Sequence, residues 1–480
     1  MKKTKLRKRI WGFFYACCLL SAAVNRVSAA ENRKGQYSFF AENAAGHTYA
    51  VHESAPENTQ QELTLFASAA VLMDADSGRV LYGKNADTVM AMASTTKIMT
   101  CIMVLENVSQ DESLTVSAYA ASMPKVKLYI KKGEQYTVRD LLHSLMLESH
   151  NDSAVALAEY VGRKYLPREL QEKDTAEYTV EESNRAVAAF AGMMNEKAKE
   201  LGCENTWFIT PNGLDATESF VLDDGSTVQR EHGTTAAELA RIMSYCIKES
   251  PAREEFLEIT RTRSYSFSCN GRGYSCNNHN AFLDMMSGAL TGKTGFTNKA
   301  GYCYVGALER DGRTFVVTLL ACGWPNNKTY KWSDTKQLMQ YGIDNYFYRS
   351  FSEEGTAFDE GLLKALPVQG GQTDILGETA YMEIGIADRA SDAVSREGTA
   401  DKPHETWKEG LLLRADEKIR VECRVADELK APVKKGTEVG YIEYLVDDIV
   451  YKRESIVTMS DLAAIDLEWC ARQVLERFLP

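Results

Sequence analysis

Three short strings in a fixed order constrain this chain more than any other feature: Ser94-Thr95-Thr96-Lys97, then Ser149-His150-Asn151, then Lys293-Thr294-Gly295. Each alone is ordinary. Ser-x-x-Lys is commonly an exposed helix pair, Ser-x-Asn is everyday capping chemistry, and Lys-Thr-Gly is often a turn. Chance explains poorly why all three occur in this order, on a helix, in an inter-helix turn and on a strand. The combination predicts an acyl-transfer enzyme whose three segments fold around one cleft.

The chemistry explains why these residue types are needed together. A serine hydroxyl is a poor nucleophile until something removes its proton. Lys97, three residues after Ser94 on a helix, brings its amine to the same face. To act as a base it must be neutral, which requires burial and a second cation nearby; Lys293 can supply that cation. Free backbone N–H groups at the helix start can stabilise an oxyanion. Ser149 can relay a proton toward a leaving amine, and Asn151 can hydrogen-bond the substrate's amide. Lys293 and Thr294 can hold a terminal carboxylate, while Gly295 lets a peptide lie close to the strand.

At 480 residues the chain is expected to form two domains. A formal net charge of −12 argues against a nucleic-acid partner. The N-terminus is more specific. Lys2, Lys3, Lys5, Arg7, Lys8 and Arg9 precede a nearly unbroken apolar run from Ile10 to Val24, and Val27-Ser28-Ala29-Ala30 offers small residues to a signal peptidase. This predicts a secretory signal peptide over residues 1–30. Of the eleven cysteines, Cys17 and Cys18 leave with it. The remaining odd number leaves at least one thiol unpaired within a monomer. Cys101 and Cys303 read as small buried hydrophobes. Cys269 and Cys276 flank Asn270-Gly271-Arg272-Gly273, a hairpin tip, where a bridge is as compatible with the sequence as two free thiols. No Cys-x-x-Cys or His-Glu-x-x-His occurs, so neither a metal nor a cofactor is expected.

Residues 31–60 are polar and aperiodic, an extension expected to have little structure of its own. Ala67 to Met73 and Gly78 to Tyr82 read as strands around a turn-rich string. A helix follows from Ser94, with Ile98, Met99, Ile102 and Leu105 at helical spacing. Thr137-x-x-Asp140 resembles a capping box that opens a second helix, and a third begins near Asp152, leaving Ser149-His150-Asn151 in the turn between them. Residues 166–183 are charged and read as a surface insertion, before a helix from Ala186 to Leu201. Thr291 to Phe296, Gly301 to Leu308 and Thr314 to Cys322 read as strands, the last two joined at Asp311-Gly312. A helix from Ser333 to Phe347 closes the domain. The expected fold is therefore α/β (α+β): residues 61–352 form an antiparallel sheet built from both ends of the segment, with a helical lobe beside it. A small all-β domain is expected at 355–460, with a long loop at 388–409. Residues 461–480 read as an amphipathic helix, Leu467, Ala471, Val474, Leu475 and Phe478 forming one stripe. That stripe suits either a membrane surface or packing on the β domain. Its excess of acidic residues gains nothing from anionic lipid.

The strings also carry a family resemblance. Asp76-Ser77-Gly78-Arg79-Val80-Leu81-Tyr82, Ala93-Ser94-Thr95-Thr96-Lys97-Ile98-Met99-Thr100, Asn212-Gly213-Leu214-Asp215 and Lys293-Thr294-Gly295-Phe296-Thr297-Asn298-Lys299-Ala300-Gly301-Tyr302 resemble those of low-molecular-mass penicillin-binding proteins, the serine D-alanyl-D-alanine carboxypeptidases. His232-x-Thr234-Thr235-Ala236 and Asn278-His279-Asn280 are similar too. Leu429-x-Ala431-Pro432-Val433-Lys434-Lys435-Gly436-x-x-Val439-Gly440 resembles their β-rich C-terminal module. The resemblance runs from about Leu65 to Val457. It implies a penicillin-recognising (β-lactamase/transpeptidase-like) catalytic domain that removes the last D-alanine from peptidoglycan stem peptides outside the cytoplasm, with β-lactams as inhibitors. By matching motif, Ser94 is acylated and Lys97 is its base; Ser149 and Asn151 form the second motif, Lys293 and Thr294 the third. The N–H groups of Ser94 and Phe296 form the oxyanion hole, and Lys331 is a further basic residue near the carboxylate. Met92 stands where the family usually has proline, and the charged stretch 166–183 is longer than usual.

Two rival readings share the motifs. A class A β-lactamase needs a glutamate to activate the deacylating water, in a local Glu-x-x-x-Asn string. Between Asn151 and Asn212 no asparagine has a glutamate four residues before it. A non-catalytic wall-binding or β-lactam-sensing protein would keep the carboxylate grip of Lys293 and Thr294. It would have no need for the intact set of Ser94, Lys97 and Ser149.

Overall fold

The computed structural model describes residues 39–42, 48–51, 63–221, 226–351, 358–375, 377–387 and 410–478. The expected signal peptide at 1–30, the loop at 388–409 and the domain boundary near 353 lie outside them. The first compact unit ends at Thr59, and in it Phe39–Glu42 pairs antiparallel with Thr48–Val51. Part of the stretch read as an unstructured extension thus forms a pair of strands; its Phe, Tyr and Val residues favour strand.

The second unit, from Gln60, is organised by a five-stranded antiparallel sheet. Its strands are β1 (Ala69–Asp74), β2 (Val80–Lys84), β3 (Ala289–Thr297), β4 (Gly301–Arg310) and β5 (Arg313–Leu320), in the order β3-β4-β5-β1-β2. Both ends of the segment therefore build one sheet, as expected. Every residue of β1 and β5 is buried, because both faces are covered. Alternation sorts them: Ala69, Val71 and Met73 enter the core beneath the helical lobe, while Ala70 and Leu72 enter a second core with Leu338 and Met339. Asp311 and Gly312 have φ of 52° and 72°, the left-handed pair that a two-residue hairpin turn demands.

The lobe comprises α1 (Lys97–Leu105), α2 (Val138–His143), α3 (Asn151–Gly162), α4 (Val180–Glu200), α5 (Ala236–Lys248) and α6 (Arg253–Arg261); α7 (Tyr330–Asn345) covers the other face of the sheet. All twelve residues of α3 are buried. At its end a Cβ on Gly162 would lie 2.0 Å from Ala186 O, so only glycine permits α4 to pack so close. The helix expected from Ala186 begins instead at Val180, because Thr179 and Glu182 form a reciprocal capping box. Ser94 lies in a short 3₁₀ turn, Ala93–Thr96, that leads into α1.

The nine cysteines from Cys101 onward are free thiols. The bridge considered between Cys269 and Cys276 is not formed. In the hairpin Ser264–Cys269/Arg272–Asn277, Cys269 sits opposite Arg272 and Cys276 opposite Tyr265, four rungs apart. Cys101 and Cys303 are fully buried, in keeping with their reading as small hydrophobes.

Beyond α7, Phe347–Ser350 pairs with Gly410–Leu413. Sheets of four and three strands follow, built from Leu366–Gln369, Ala380–Met382, Ile384–Ile386, Arg420–Val425, Leu429–Lys430, Glu438–Val446 and Ile449–Thr458. The terminal helix, Leu467–Phe478, buries Trp469 but leaves Leu467 89%, Val474 52% and Leu475 54% exposed. Arg79 joins the two halves of this unit: its guanidinium donates to Glu417 Oε1 and Oε2 at 2.6 and 3.0 Å and to Leu412 O at 2.6 Å, all buried. Removing one partner of such a pair strands the other charge away from water. Arg79→Ala should therefore lower the unfolding free energy in urea by about 3 kcal/mol, and the double exchange Arg79→Met with Glu417→Leu should cost less. Equal losses in the two variants would show that charge burial is not what the pair manages.

Candidate active site

Lys97 lies fully enclosed beside the cleft. Its side chain is completely buried, yet its Nζ lies 2.9 Å from Ser94 Oγ, 2.9 Å from Asn151 Oδ1 and 2.7 Å from the Asn212 carbonyl. Burial holds its pKa well below the usual lysine range; the positive charge of Lys293 pushes the same way, and Asp152 opposes. A neutral amine has two N–H donors and one lone pair. Two of the three neighbours are carbonyl-type oxygens that can only accept, so they take both donors and leave the lone pair facing the Ser94 hydroxyl. The competing contact, from Ser94 Oγ to Asn212 O, is longer at 3.4 Å.

The nucleophile turn is braced from behind. Ala93 has φ of 47°, a region that non-glycine residues rarely adopt. Its carbonyl accepts from Thr96 Oγ1 at 2.8 Å, and Thr96 Oγ1 lies 2.8 Å from His232 Nε2. His232 Nδ1 accepts from the Ile209 and Thr210 N–H groups, so Nε2 carries the proton and donates to Thr96. Burial keeps this imidazole neutral, pushing its pKa down to about 4. Gly213, at φ of 82°, lies against the same turn; a Cβ there would fall 2.0 Å from Ala93 O.

The second motif lies, as expected, between two helices. Ser149 ends the π turn Ser144–Glu148 in a left-handed conformation, φ of 65°, and its Oγ is buried without a hydrogen-bond partner among the described residues. Its neighbours are anchored. The Glu148 carboxylate accepts from Asn277 N and contacts His279 Nε2, each at 2.7 Å. His150 Nδ1 lies 2.8 Å from Ser144 Oγ, which lies 2.7 Å from Ser153 Oγ. Asn151 begins α3, with its N–H on Val126 O and its Nδ2 on Pro124 O. Ser149 is thus a left-handed residue held between fixed neighbours, with a hydroxyl that no described residue engages.

The third motif lies on β3, an edge strand that among the described residues pairs with β4 alone. Lys293 is buried, its Nζ donating to Thr294 O at 3.0 Å, and burial lowers its pKa to about 7. Gly295 lies so close to the nucleophile that a Cβ there would be 2.9 Å from Ser94 N. Phe296 is 38% exposed at the rim, its ring centroid 4.7 Å from that of Tyr302. Lys331 is buried with its ammonium 4.7 Å from the Tyr302 ring centroid, and its hydrogen bond goes to the Lys328 carbonyl.

The structure thus gathers Ser94, Lys97, Asn151 and Gly295 into direct contact or near contact. Lys293 joins them through its field at Lys97. Three further participants were not assigned a role from sequence: the Asn212 carbonyl, the brace formed by His232 and Thr96, and Asp152. The buried Asp152 carboxylate accepts from the Leu128, Tyr129 and Ile130 N–H groups at 2.9, 2.8 and 3.3 Å. Asn212-Gly213 and His232 lay in recognised strings, yet a backbone carbonyl or a buried brace carries no side-chain signature of catalysis.

Known proteins resemble this chain over most of its length. The family described as D-alanyl-D-alanine carboxypeptidase matches residues 56–165 and 182–321, and the penicillin-binding protein 5 C-terminal domain matches 414–464. The gap between the first two matches falls within the charged stretch read as an insertion. D-alanyl-D-alanine carboxypeptidase DacC of Escherichia coli (strain K12) is 27% identical over 427 residues, covering 85% of this chain and 87% of that protein. DacF of Bacillus subtilis (strain 168), of the same description, is 23% identical over 407 residues, covering 84% and 87%. Penicillin binding protein 5 from Haemophilus influenzae shares the fold, with a TM-score of 0.58 and 21% identity over 84% of this chain and 99% of that one. Neither the lactamase nor the non-catalytic reading is favoured by these matches. With just over half of its length matched by that family, the chain belongs to the D-alanyl-D-alanine carboxypeptidases.

Proposed function

We propose that this protein is a serine D,D-carboxypeptidase that removes the terminal D-alanine from peptidoglycan stem pentapeptides, and that β-lactams inhibit it by acylating the same serine. The observation that carries the reading is the enclosed Lys97 amine, its donors directed at Asn151 and Asn212 and its remaining valence at Ser94. Ser94 Oγ bonds to the carbonyl carbon of the penultimate D-alanine as its proton passes to Lys97. The oxyanion meets the N–H groups of Ser94 and Phe296. Ser149 hands the proton to the departing nitrogen, the C–N bond breaks, and D-alanine leaves. Water then cleaves the ester and restores Ser94. Lys293 and Thr294 hold the terminal carboxylate, Asn151 the peptide amide, and the free edge of β3 the backbone beside Gly295. In this reading residues 1–30 direct export, residues 61–352 are the peptidase domain, residues 355–460 its β-rich companion, and the enzyme works at the outer face of the membrane or in the wall.

Incubation with a D-Ala-D-Ala-terminated pentapeptide should release free D-alanine, and a penicillin should add one adduct on the peptide containing Ser94. Both should vanish in Ser94→Ala; an adduct that persists there refutes the nucleophile. Lys97→Ala should abolish acylation without unfolding the protein.

The two lysines set a bell-shaped pH profile. On the acid side kcat/KM falls as Lys97 takes up a proton and ceases to be a base. On the alkaline side it falls from a pH of about 7 upward, as Lys293 loses the charge that grips the carboxylate. A bound carboxylate retains that proton, so the alkaline limb of kcat should lie at higher pH. Lys293→Arg, which does not deprotonate, should move the alkaline limb of kcat/KM upward and be milder than Lys293→Ala. An alkaline limb unmoved by Lys293→Arg rules out this division of labour.

The terminal helix is assigned to a membrane surface. Trp469 ties it to the protein, while Leu467, Val474 and Leu475 present apolar side chains outward. No helix among the described residues is long and apolar enough to cross a bilayer. Replacing those three residues by serine should abolish sedimentation with phospholipid vesicles at unchanged thermal stability and unchanged acylation by penicillin. Lost stability with unaltered vesicle binding would place the stripe against the protein instead.

A further inference from the structure

The segment from Pro124 to Lys132 forms a strap beside the second motif. It is held from below: Asp152 takes three consecutive amides, and Leu128 and Ile130 are buried. It is held at its start by Asn151, whose N–H and side-chain amide reach the Val126 and Pro124 carbonyls. Four lysines fall within these few residues, Lys125, Lys127, Lys131 and Lys132, in a chain whose formal net charge is −12. Lys125, Lys131 and Lys132 are exposed; Lys127 is half-buried, donating to Ala121 O at 3.3 Å. None of the four has an ion-pair partner among the described residues. The acidic groups nearby are engaged: Glu134 pairs with Arg272, and Asp152 is sealed beneath the strap.

A run of unpaired cations in an acidic protein is a local field with no internal use. Its place gives it one. Asn151, the residue that pins the strap, is also the residue that holds the peptide amide in the function proposed above. Chain lying upstream of the scissile bond must therefore leave the cleft past these lysines. We infer that the strap is a second recognition surface, for carboxylates carried by the stem peptide upstream of its D-Ala-D-Ala terminus, and that it makes the enzyme prefer acidic stems over amidated ones. This rests on the carboxypeptidase reading and adds substrate specificity to it. The strap acts apart from the Lys293 grip, which takes the terminal carboxylate shared by every such substrate.

The test uses two D-Ala-D-Ala-terminated pentapeptides that differ only in whether their upstream carboxylates are free or amidated. The full-length protein should release D-alanine from the free-acid peptide with kcat/KM roughly three- to tenfold higher, the scale of a few exposed ion pairs. The difference should shrink at high salt, where the screening length is about 3 Å. The triple variant Lys125→Ser, Lys131→Ser, Lys132→Ser leaves the anchors of the strap in place. It should lose the preference while keeping the wild-type rate on the amidated peptide and wild-type acylation by penicillin. Equal wild-type rates on the two peptides, or a preference that survives in the triple variant, would overturn the proposal. D-alanine released from neither peptide would overturn the carboxypeptidase reading itself, and this inference with it.

Discussion

An amine that is completely buried, and still surrounded by three oxygen atoms, is the constraint from which the rest of the cleft follows. Lys97 cannot keep a proton comfortably there: water is excluded and Lys293 contributes a like charge. The fold must therefore bring helix, inter-helix turn, loop and edge strand to one point with errors well below an ångström. The Asn212 carbonyl comes from a loop, Asn151 from the start of α3, and Ser94 from the turn before α1. Displacing Asn151 or the Asn212 carbonyl would leave the amine a donor without an acceptor, a cost on the order of 1–3 kcal/mol.

That demand explains features that otherwise look like local oddities. Ala93 and Ser149 adopt left-handed backbone conformations without being glycine, and each is flanked by bonds that hold it there. The His232–Thr96 bridge braces one, while Glu148, His150 and Asn151 fix the other. Glycine is used where atoms must nearly touch: Gly213 against Ala93 O, and Gly295 against Ser94 N. Asp152 performs the same service for the cleft's lip. Its carboxylate gathers three amides of the strap, so the residue after Asn151 organises a segment over twenty positions earlier in the chain.

Much of this was legible in order rather than in contact. Short apolar runs bounded by turn residues marked β1, β4 and β5 to within a few residues, since a strand covered on both faces is apolar throughout. Capping chemistry marks the start of α2 at Thr137, and the box of Thr179 and Glu182 does the same for α4. Helices α5 and α6 and the strand pair inside residues 31–60 are not among the expectations from sequence. Cys269 and Cys276 looked placed for a bridge because spacing conveys proximity along the chain but not the register of a ladder.

By itself the sequence determined the chemistry available: two serines, two lysines and an asparagine in an order that suits acyl transfer, with a second module to follow. These are properties of side-chain types and spacing. Only the tertiary structure decided which lysine lacks water, which carbonyl completes its shell and which lysines remain without partners beside the cleft. Burial, field and hydrogen-bond closure depend on segments hundreds of residues apart meeting in space, and no local pattern encodes that meeting.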